Sequence, residues 1–152
     1  MEMQPWYVTG FVDGEGSFLV SFSVRSKLRI GIEVRPSFTV SQHARSKRAL
    51  VALQDFFACG TIRQNTKDQT YKYEVRRLED LLQKVIPHFE RYPLATSKKN
   101  DFDIFRELCN SMKQLEHQSY SGLKTIIAMA YRMNNLGARR YTHEALLRIL
   151  KR

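Results

Sequence analysis

The chain has 152 residues, enough for one domain to bury a core without disulfides or a structural metal. With 43% hydrophobic and 26% charged residues it is not a disordered chain, and its apolar runs are too short to span a membrane. Its 25 Lys and Arg against 15 Asp and Glu give a formal charge of +10, which directs it to a polyanion, nucleic acid ahead of an anionic membrane surface.

Residues 5–11 predict a short helix with Pro5 in its first turn, and Gly14 and Gly16 supply permissive backbone to end it. Asp13 and Glu15 then sit at the C-terminal end of that helix, where the macrodipole is already negative. A bound cation would resolve the conflict; an ordinary solvated turn is the plainer reading. Gly10 and Gly14 share a face and cost helix stability, unless a second helix uses the missing side chains for a close approach.

Residues 17–25 alternate, with Phe18, Val20, Phe22 and Val24 against Leu19, Ser21, Ser23 and Arg25, which predicts a strand with one apolar face. Residues 29–42 repeat the pattern, Ile30, Ile32, Val34, Pro36, Phe38 and Val40 inward and Arg29, Glu33, Arg35, Ser37 and Thr39 outward, with the hairpin turn around Lys27. Pro36 cannot donate to a ladder, so the strand is expected to bulge there or to lie at an edge. Residues 45–58 follow as an amphipathic helix stopped by Gly60. A second hairpin is expected from residues 61–65 and 70–77, with Tyr71, Tyr73 and Val75 inward and Lys72, Glu74 and Arg76 outward. Helices are predicted over residues 78–89, roughly 98–117 and 121–134, then a short one from Thr142 as N-cap.

Charge is segregated along this order. Residues 20–50 carry Arg25, Lys27, Arg29, Arg35, Arg45, Lys47 and Arg48 against Glu33 alone, whereas the opening helix carries Glu2, Asp13 and Glu15 and no base. A sheet with one apolar face must be covered there by helices, leaving a polar face of Ser, Thr, Arg, Lys, Glu and Asn. Such a face is ordinary when solvated, but its excess of Arg and Lys suits a ribbon laid in the DNA major groove. Cys59 and Cys109 lack any ligand spacing, which argues against zinc and for a reducing compartment. Residues 1–19 contain no Lys or Arg, so neither a signal peptide nor a transit peptide is expected. On that reading the protein is expected to act inside the cell, where it is made.

The segment Val8-Thr9-Gly10-Phe11-Val12-Asp13-Gly14-Glu15-Gly16-Ser17, the later Leu94-Ala95-Thr96-Ser97-Lys98-Lys99-Asn100-Asp101-Phe102, and Leu123 to Asn134 occur in an order that resembles the LAGLIDADG homing endonucleases over nearly the whole chain. The resemblance implies an α+β fold, αββαββα, with an antiparallel four-stranded saddle sheet covered by helices on one face and C-terminal helices after it. It implies a single domain over residues 1–152, with a core of about 5–117 and a helical extension of about 118–152. One motif occurs here where single-chain relatives carry two, so a homodimer on a long, roughly palindromic site follows, with Gly10, Phe11, Asp13 and Gly14 at its interface.

The implied activity is that of an intron-encoded enzyme making site-specific double-strand DNA cuts by metal-dependent hydrolysis. Glu15 takes the final acidic position of the motif, where many relatives have Asp, and Gly14 would lend its carbonyl to the same Mg2+, a site that Mn2+ or Ca2+ could also fill. Gln42 matches a polar position that arranges active-site water, and Lys98, with Lys99 as the register alternative, matches the basic residue beside the scissile phosphate. A strand-ending amide and a solvated lysine are the plain alternatives. The expected DNA-binding positions are Ser21, Ser23, Arg25, Arg29, Glu33, Arg35, Ser37, Thr39, Arg63, Asn65, Lys72, Glu74 and Arg76, with Arg45, Lys47 and Arg48 as backbone anchors. Relatives of this family assist splicing, so an RNA-binding intron maturase and a non-cleaving DNA-binding module on the same fold are the competing readings.

Overall fold

The structure is a computed structural model that describes residues 1–133 and 139–151. Its elements run Pro5–Glu15 (α1), Gly16–Val24 (β1), Ile32–His43 (β2), Lys47–Phe57 (α2), Thr61–Asn65 (β3) and Thr70–Val75 (β4). Leu78–Asp80 (α3) and Ile86–Arg91 (α4) flank a π turn at Leu81–Val85, and Lys98–Lys113 (α5), Tyr120–Ala130 (α6) and His143–Ile149 (α7) complete the order. The strands form one four-stranded sheet in the order β1-β2-β4-β3. Strand β4 is antiparallel to β2, from Phe38↔Val75 to His43↔Thr70, and to β3, from Thr61↔Glu74 to Asn65↔Thr70. The expected α+β, αββαββα architecture is the one observed. Contacts divide the chain into two compact units, Met1–Phe18 with Ser37–Lys99 and Leu19–Pro36 with Asn100–Arg152.

In the first unit α1 has Pro5 at its start and no side-chain cap, and it contains two glycines, so its own propensity is poor. Packing holds it: Val8 and Val12 are fully buried. Thr9, also buried, donates its hydroxyl proton to the Tyr92 carbonyl at 2.9 Å, which makes His88 Nε2, 3.1 Å away, the donor to Thr9 Oγ1. Burial among Phe56, Phe57 and Tyr92 pushes His88 down to about 4, so the ring is neutral at pH 7. The helix continues through Gly14, contrary to the expectation that Gly14 would end it, and stops at Gly16, which is extended rather than left-handed. Glycine is needed at 16 for space, because a Cβ there would lie 2.6 Å from Val12 Cγ1.

Beneath the sheet Phe38 is the hub, with Phe18, Phe57, Phe89 and Tyr73 packed around it at centroid distances of 5.3, 5.7, 5.8 and 6.2 Å. Strand β2 is interior rather than an edge, yet its registered pairs with β4 begin at Phe38, so Pro36 lies beyond them and needs no donor on that side. Helix α2 ends at Ala58 in the left-handed conformation, two residues before the expected stop at Gly60. The π turn precedes Pro87, whose missing N–H and bulky ring cannot continue a regular helix, and Ile86 N–H reaches back five residues to Leu81.

In the second unit the expected strand start at Arg29 is replaced by a compact turn. Arg25 N–H donates to Gly31 O, Leu28 N–H to Arg25 O and Gly31 N–H to Leu28 O, with Gly31 at φ +85°. Val24, expected inward, is 39% exposed where the strand runs into this turn. Helix α5 buries Phe102, Phe105, Leu108, Cys109 and Met112 and ends at Lys113, not His117, because Leu115 is left-handed. Ser119 caps α6 and Thr142 caps α7, the latter as expected. Helix α6 closes at Ala130, and the expected end of the helix at Asn134 lies outside the described residues. Arg139 donates to the Ala130 carbonyl at 2.6 Å and to Val20 O at 2.8 Å, with its guanidinium 4.5 Å above Tyr131, a cation at a helix C-terminus.

Candidate active site

The site builds up around the C-terminal end of α1. The last carbonyls of a helix have no partner within it, and here Lys98, at the start of α5, supplies one: its Nζ donates to Val12 O and Asp13 O, each at 2.9 Å. The cation that the macrodipole calls for is therefore partly built into the chain. Asp13 turns its carboxylate to the segment before α5, accepting from Ala95 N–H at 2.7 Å, Thr96 N–H at 3.2 Å and the Thr96 hydroxyl at 2.7 Å. Partial burial pushes this carboxyl up, but the bonds from Ala95 and Thr96, helped by Lys98, outweigh that and hold it below its ordinary value. Thr96 in turn accepts Lys98 N–H on its Oγ1 at 3.3 Å and Lys99 N–H on its carbonyl at 3.0 Å, which starts α5.

Glu15 ends α1 exposed, and Gln42 donates its Nε2 to Glu15 Oε2 at 3.2 Å. The side-chain period of β2 explains how Gln42 arrives there: it shares the covered face with Phe38 and Val40 but lies one residue from the strand end, past the packed core. Glu15, Gln42 and Lys98, far apart in sequence, are thus brought to one helix end. Asp13, expected at a dimer interface, is engaged within its own chain.

The opposite side of α1 is open. Gly10 and Gly14 are exposed, and a Cβ added at either would meet nothing within 4 Å. Tyr7 and Trp6 beside them are 57% and 61% exposed, and Tyr7 stacks on Phe11.

For a divalent ion the chain offers an exposed carboxylate at Glu15 and the backbone oxygen of Gly14 at the helix end. Among the described residues no group of three or more His, Cys, Asp or Glu could hold a metal by itself. A partial, all-oxygen set of this kind fits Mg2+, which keeps several waters and shares its shell with phosphate. Neither thiol competes for chemistry, since burial pushes Cys109 up to about 12 and raises Cys59.

The expected DNA-facing residues divide by unit. In the first, the outward rows read Thr39–Glu74–Thr61, Ser41–Lys72–Arg63 and His43–Thr70–Asn65. Arg63 and Lys72 are exposed and directly opposed on neighbouring strands, which costs stability in the free sheet. Arg76 is exposed but lies just past the end of β4. Asn65 folds its Oδ1 back to accept Lys67 N–H at 3.1 Å and shapes the hairpin turn. Ser37 and Thr39, expected to be accessible, are only 9% and 6% exposed, because short side chains on an interior strand are shaded by longer neighbours. Lys47 lies 4.4 Å over the Tyr71 ring, and His43 accepts Arg45 N–H to open the turn before α2.

In the second unit Ser21 is exposed and Ser23 half-buried. Glu33 accepts from Arg25 at 2.9 Å and from Arg35 at 3.1 Å, and these bonds hold its carboxyl below the ordinary range. Arg29 lies in the turn, not in a strand, and donates to the Gln118 carbonyl at 3.0 Å. Sequence reasoning missed the Asp13 anchor and the Arg139 clamp. The first had a usable signal in Thr96 two residues before Lys98; the second spans the unit through backbone carbonyls, which leave no pattern in a sequence.

No helix among the described residues is long and apolar enough to cross a membrane. The LAGLIDADG endonuclease family model matches residues 8–109. The chain is 29% identical over 95% of its length to homing endonuclease I-ApeII of Aeropyrum pernix, covering 87% of that protein. It is 32% identical over 82% of its length to probable intron-encoded endonuclease 2 of Neurospora crassa, of which it covers 28%; the chain spans about a quarter of the length of several such relatives. Among solved structures, homing endonuclease I-TnaI superposes with TM-score 0.87 at 39% identity, covering 98% of this chain and 97% of that one. The archaeal intron-encoded I-Vdi141I, complexed with DNA, superposes at 0.88 with 29% identity, covering 95% and 92%. I-SmaMI bound to cleaved DNA superposes at 0.86 with 31% identity, covering 91% of this chain and 46% of that one. With its motif helix, its sheet order and these matches, the chain belongs to the LAGLIDADG homing endonuclease family.

Proposed function

We propose that this chain is a site-specific endonuclease that cuts both strands of DNA as a homodimer, on a long and roughly palindromic target, by metal-dependent phosphodiester hydrolysis. The observation that carries the reading is the convergence of Glu15, Gln42 and Lys98 at the exposed end of α1. The motif occurs once in these 152 residues, and in this reading a second copy of the chain supplies the other half of the enzyme. The open Gly10 and Gly14 face of α1 fits that copy, because two backbones can approach closely where no side chain intervenes.

In this reading each residue at the helix end has a separate task. Glu15 presents an anionic oxygen toward the phosphate, and Gln42 fixes the orientation of that carboxylate. Lys98 holds a positive charge against the negative end of α1, where charge builds up on a phosphate under attack by water. A divalent ion held by Glu15 and Gly14 would supply Lewis-acid stabilisation of that charge. No histidine is required as base, and His88 is committed to Thr9. The outward Arg63, Lys72 and Arg76 supply the contacts to DNA, with Glu33, Arg25 and Arg35 as an ordered polar set on the second unit.

The test is incubation of the purified chain with Mg2+ and a duplex spanning the intronless host gene, wild type against Glu15→Gln. The expected result is double-strand cleavage by wild type and binding without cleavage by the variant, a loss of at least about a hundredfold. Undiminished cutting by Glu15→Gln would overturn the metal assignment. Tight binding of intron RNA with no DNA cutting by wild type would overturn the endonuclease reading in favour of a maturase.

A further inference from the structure

The turn between β1 and β2 is joined by the chain's own C-terminal tail. Lys151 N–H donates to the Ile30 carbonyl at 3.2 Å, and its Nζ donates to the Ser26 carbonyl at 3.4 Å. Its stem lies along Gly31, where a Cβ would sit 3.4 Å from Lys151 Cγ and Cε, so the left-handed glycine leaves the lane in which the lysine runs. The turn already carries Arg25, Lys27 and Arg29, and the carboxylate of Glu33 is shared between Arg25 and Arg35. A lysine added to a turn of that charge works against folding of the free chain by like-charge repulsion, yet α7 delivers it there under its Thr142 cap.

We propose that Lys151 and the β1–β2 turn form a phosphate clamp for duplex DNA, in which the segment after α7 adds an anchoring cation to those of the sheet. The inference rests on the DNA-binding reading above and adds a contact from an element outside the sheet. Duplex DNA is favoured as occupant because the clamp is continuous in sequence with β1 and β2, the strands whose Ser21, Ser23 and Arg35 form the polar set of this unit. It gives orientation and affinity, not base recognition, because a lysine held by backbone carbonyls offers a point charge with no fixed fork.

The experiment is binding of the full chain to a mixed-sequence 30-base-pair duplex, by fluorescence anisotropy across a salt series from 50 to 200 mM. Wild type, Lys151→Met and Lys151→Arg are compared, each checked for folding by its melting curve. Methionine keeps the stem against Gly31 and removes the charge. Lys151→Met should flatten the log–log salt slope by about 0.9 for each clamp, so the wild-type advantage shrinks about 3.5-fold over that range for one clamp and about twelvefold for the two clamps of a homodimer, and Lys151→Arg should restore the slope. An unchanged slope in Lys151→Met, with wild type bound, overturns the clamp alone. Absence of duplex binding by wild type overturns the clamp together with the DNA-binding reading. A loss confined to a structured intron RNA, with duplex binding intact, overturns duplex DNA as the occupant.

Discussion

The end of α1 and the outward rows of β3 and β4 both carry charge, but they treat it in opposite ways. At the helix end Asp13, Glu15 and Lys98 are each tied to named groups within the chain, so charge there is compensated and oriented before anything binds. On the sheet Arg63 stands opposite Lys72, and no ion pair among the described residues relieves them. A compensated cluster is preorganised and should fail through geometry. An uncompensated one is held in place by the fold against its own repulsion, and it should fail only in what it binds.

Lys98→Met is the strongest way to break that contrast. It removes the ammonium 2.9 Å from the Val12 and Asp13 carbonyls and leaves the helix end without its cation. Cleavage should fall on the order of a hundredfold, and the melting point should drop in step with about 1 kcal/mol of stability. Turnover measured against Lys98→Arg separates charge from shape. Cutting at the wild-type rate by Lys98→Met would mean that the helix end is not oriented by this residue.

Asp13→Asn has a smaller effect and acts on stability first. The amide cannot accept on both of its former oxygens, so a bond from Ala95 or Thr96 is lost, at a cost of about 2 kcal/mol. Because the folded chain holds the Asp13 carboxyl below its ordinary 3.8, its contribution is fully present above that value and is lost as pH falls through the lower folded value. Denaturation midpoints of wild type and variant should therefore differ most near neutrality and converge in acid. A gap that is constant down to the acid limit would show that the charge of Asp13 contributes nothing.

Much of the fold was legible because its signals are local. Alternation in residues 17–25 and 70–77 located strands, the second of which ends at Val75, apolar spacing located α2 and α5, and Thr142 announced α7. The errors fell where tertiary packing overrode a local rule. Gly14 stayed helical because Val12 and Val8 are buried on the other side of α1, and Ser37 and Thr39 lost their exposure to neighbouring strands that a single-strand pattern does not contain. The gathering of Glu15, Gln42 and Lys98 at one helix end came from family resemblance, since nothing in their spacing could place an amide at a strand end beside a helix end. Asp13 illustrates the limit most plainly. Its position in the motif was visible, but the groups it would grip, Ala95 and Thr96, lie 82 and 83 residues away.

The smallest effect is the most discriminating for the sheet. Arg63 and Lys72 are exposed, face the same side and gain nothing from each other, so replacing either with Ala should leave the free chain as stable as before or raise it by a few tenths of a kcal/mol. Duplex binding should respond in the opposite direction, each substitution flattening the salt slope by about 0.9 per protomer if the lost cation sits on a phosphate. Chemical denaturation and a salt titration of the same preparations measure the two sides. A residue that reads a base instead would keep most of the slope and lose discrimination between duplex sequences, which sorts Arg63 from Lys72 by role. If either alanine destabilised the free chain by about 1 kcal/mol or more, well beyond an ordinary surface change, the cation would be structural. The outward rows would then belong with the helix end, and the contrast between compensated and uncompensated charge would not hold.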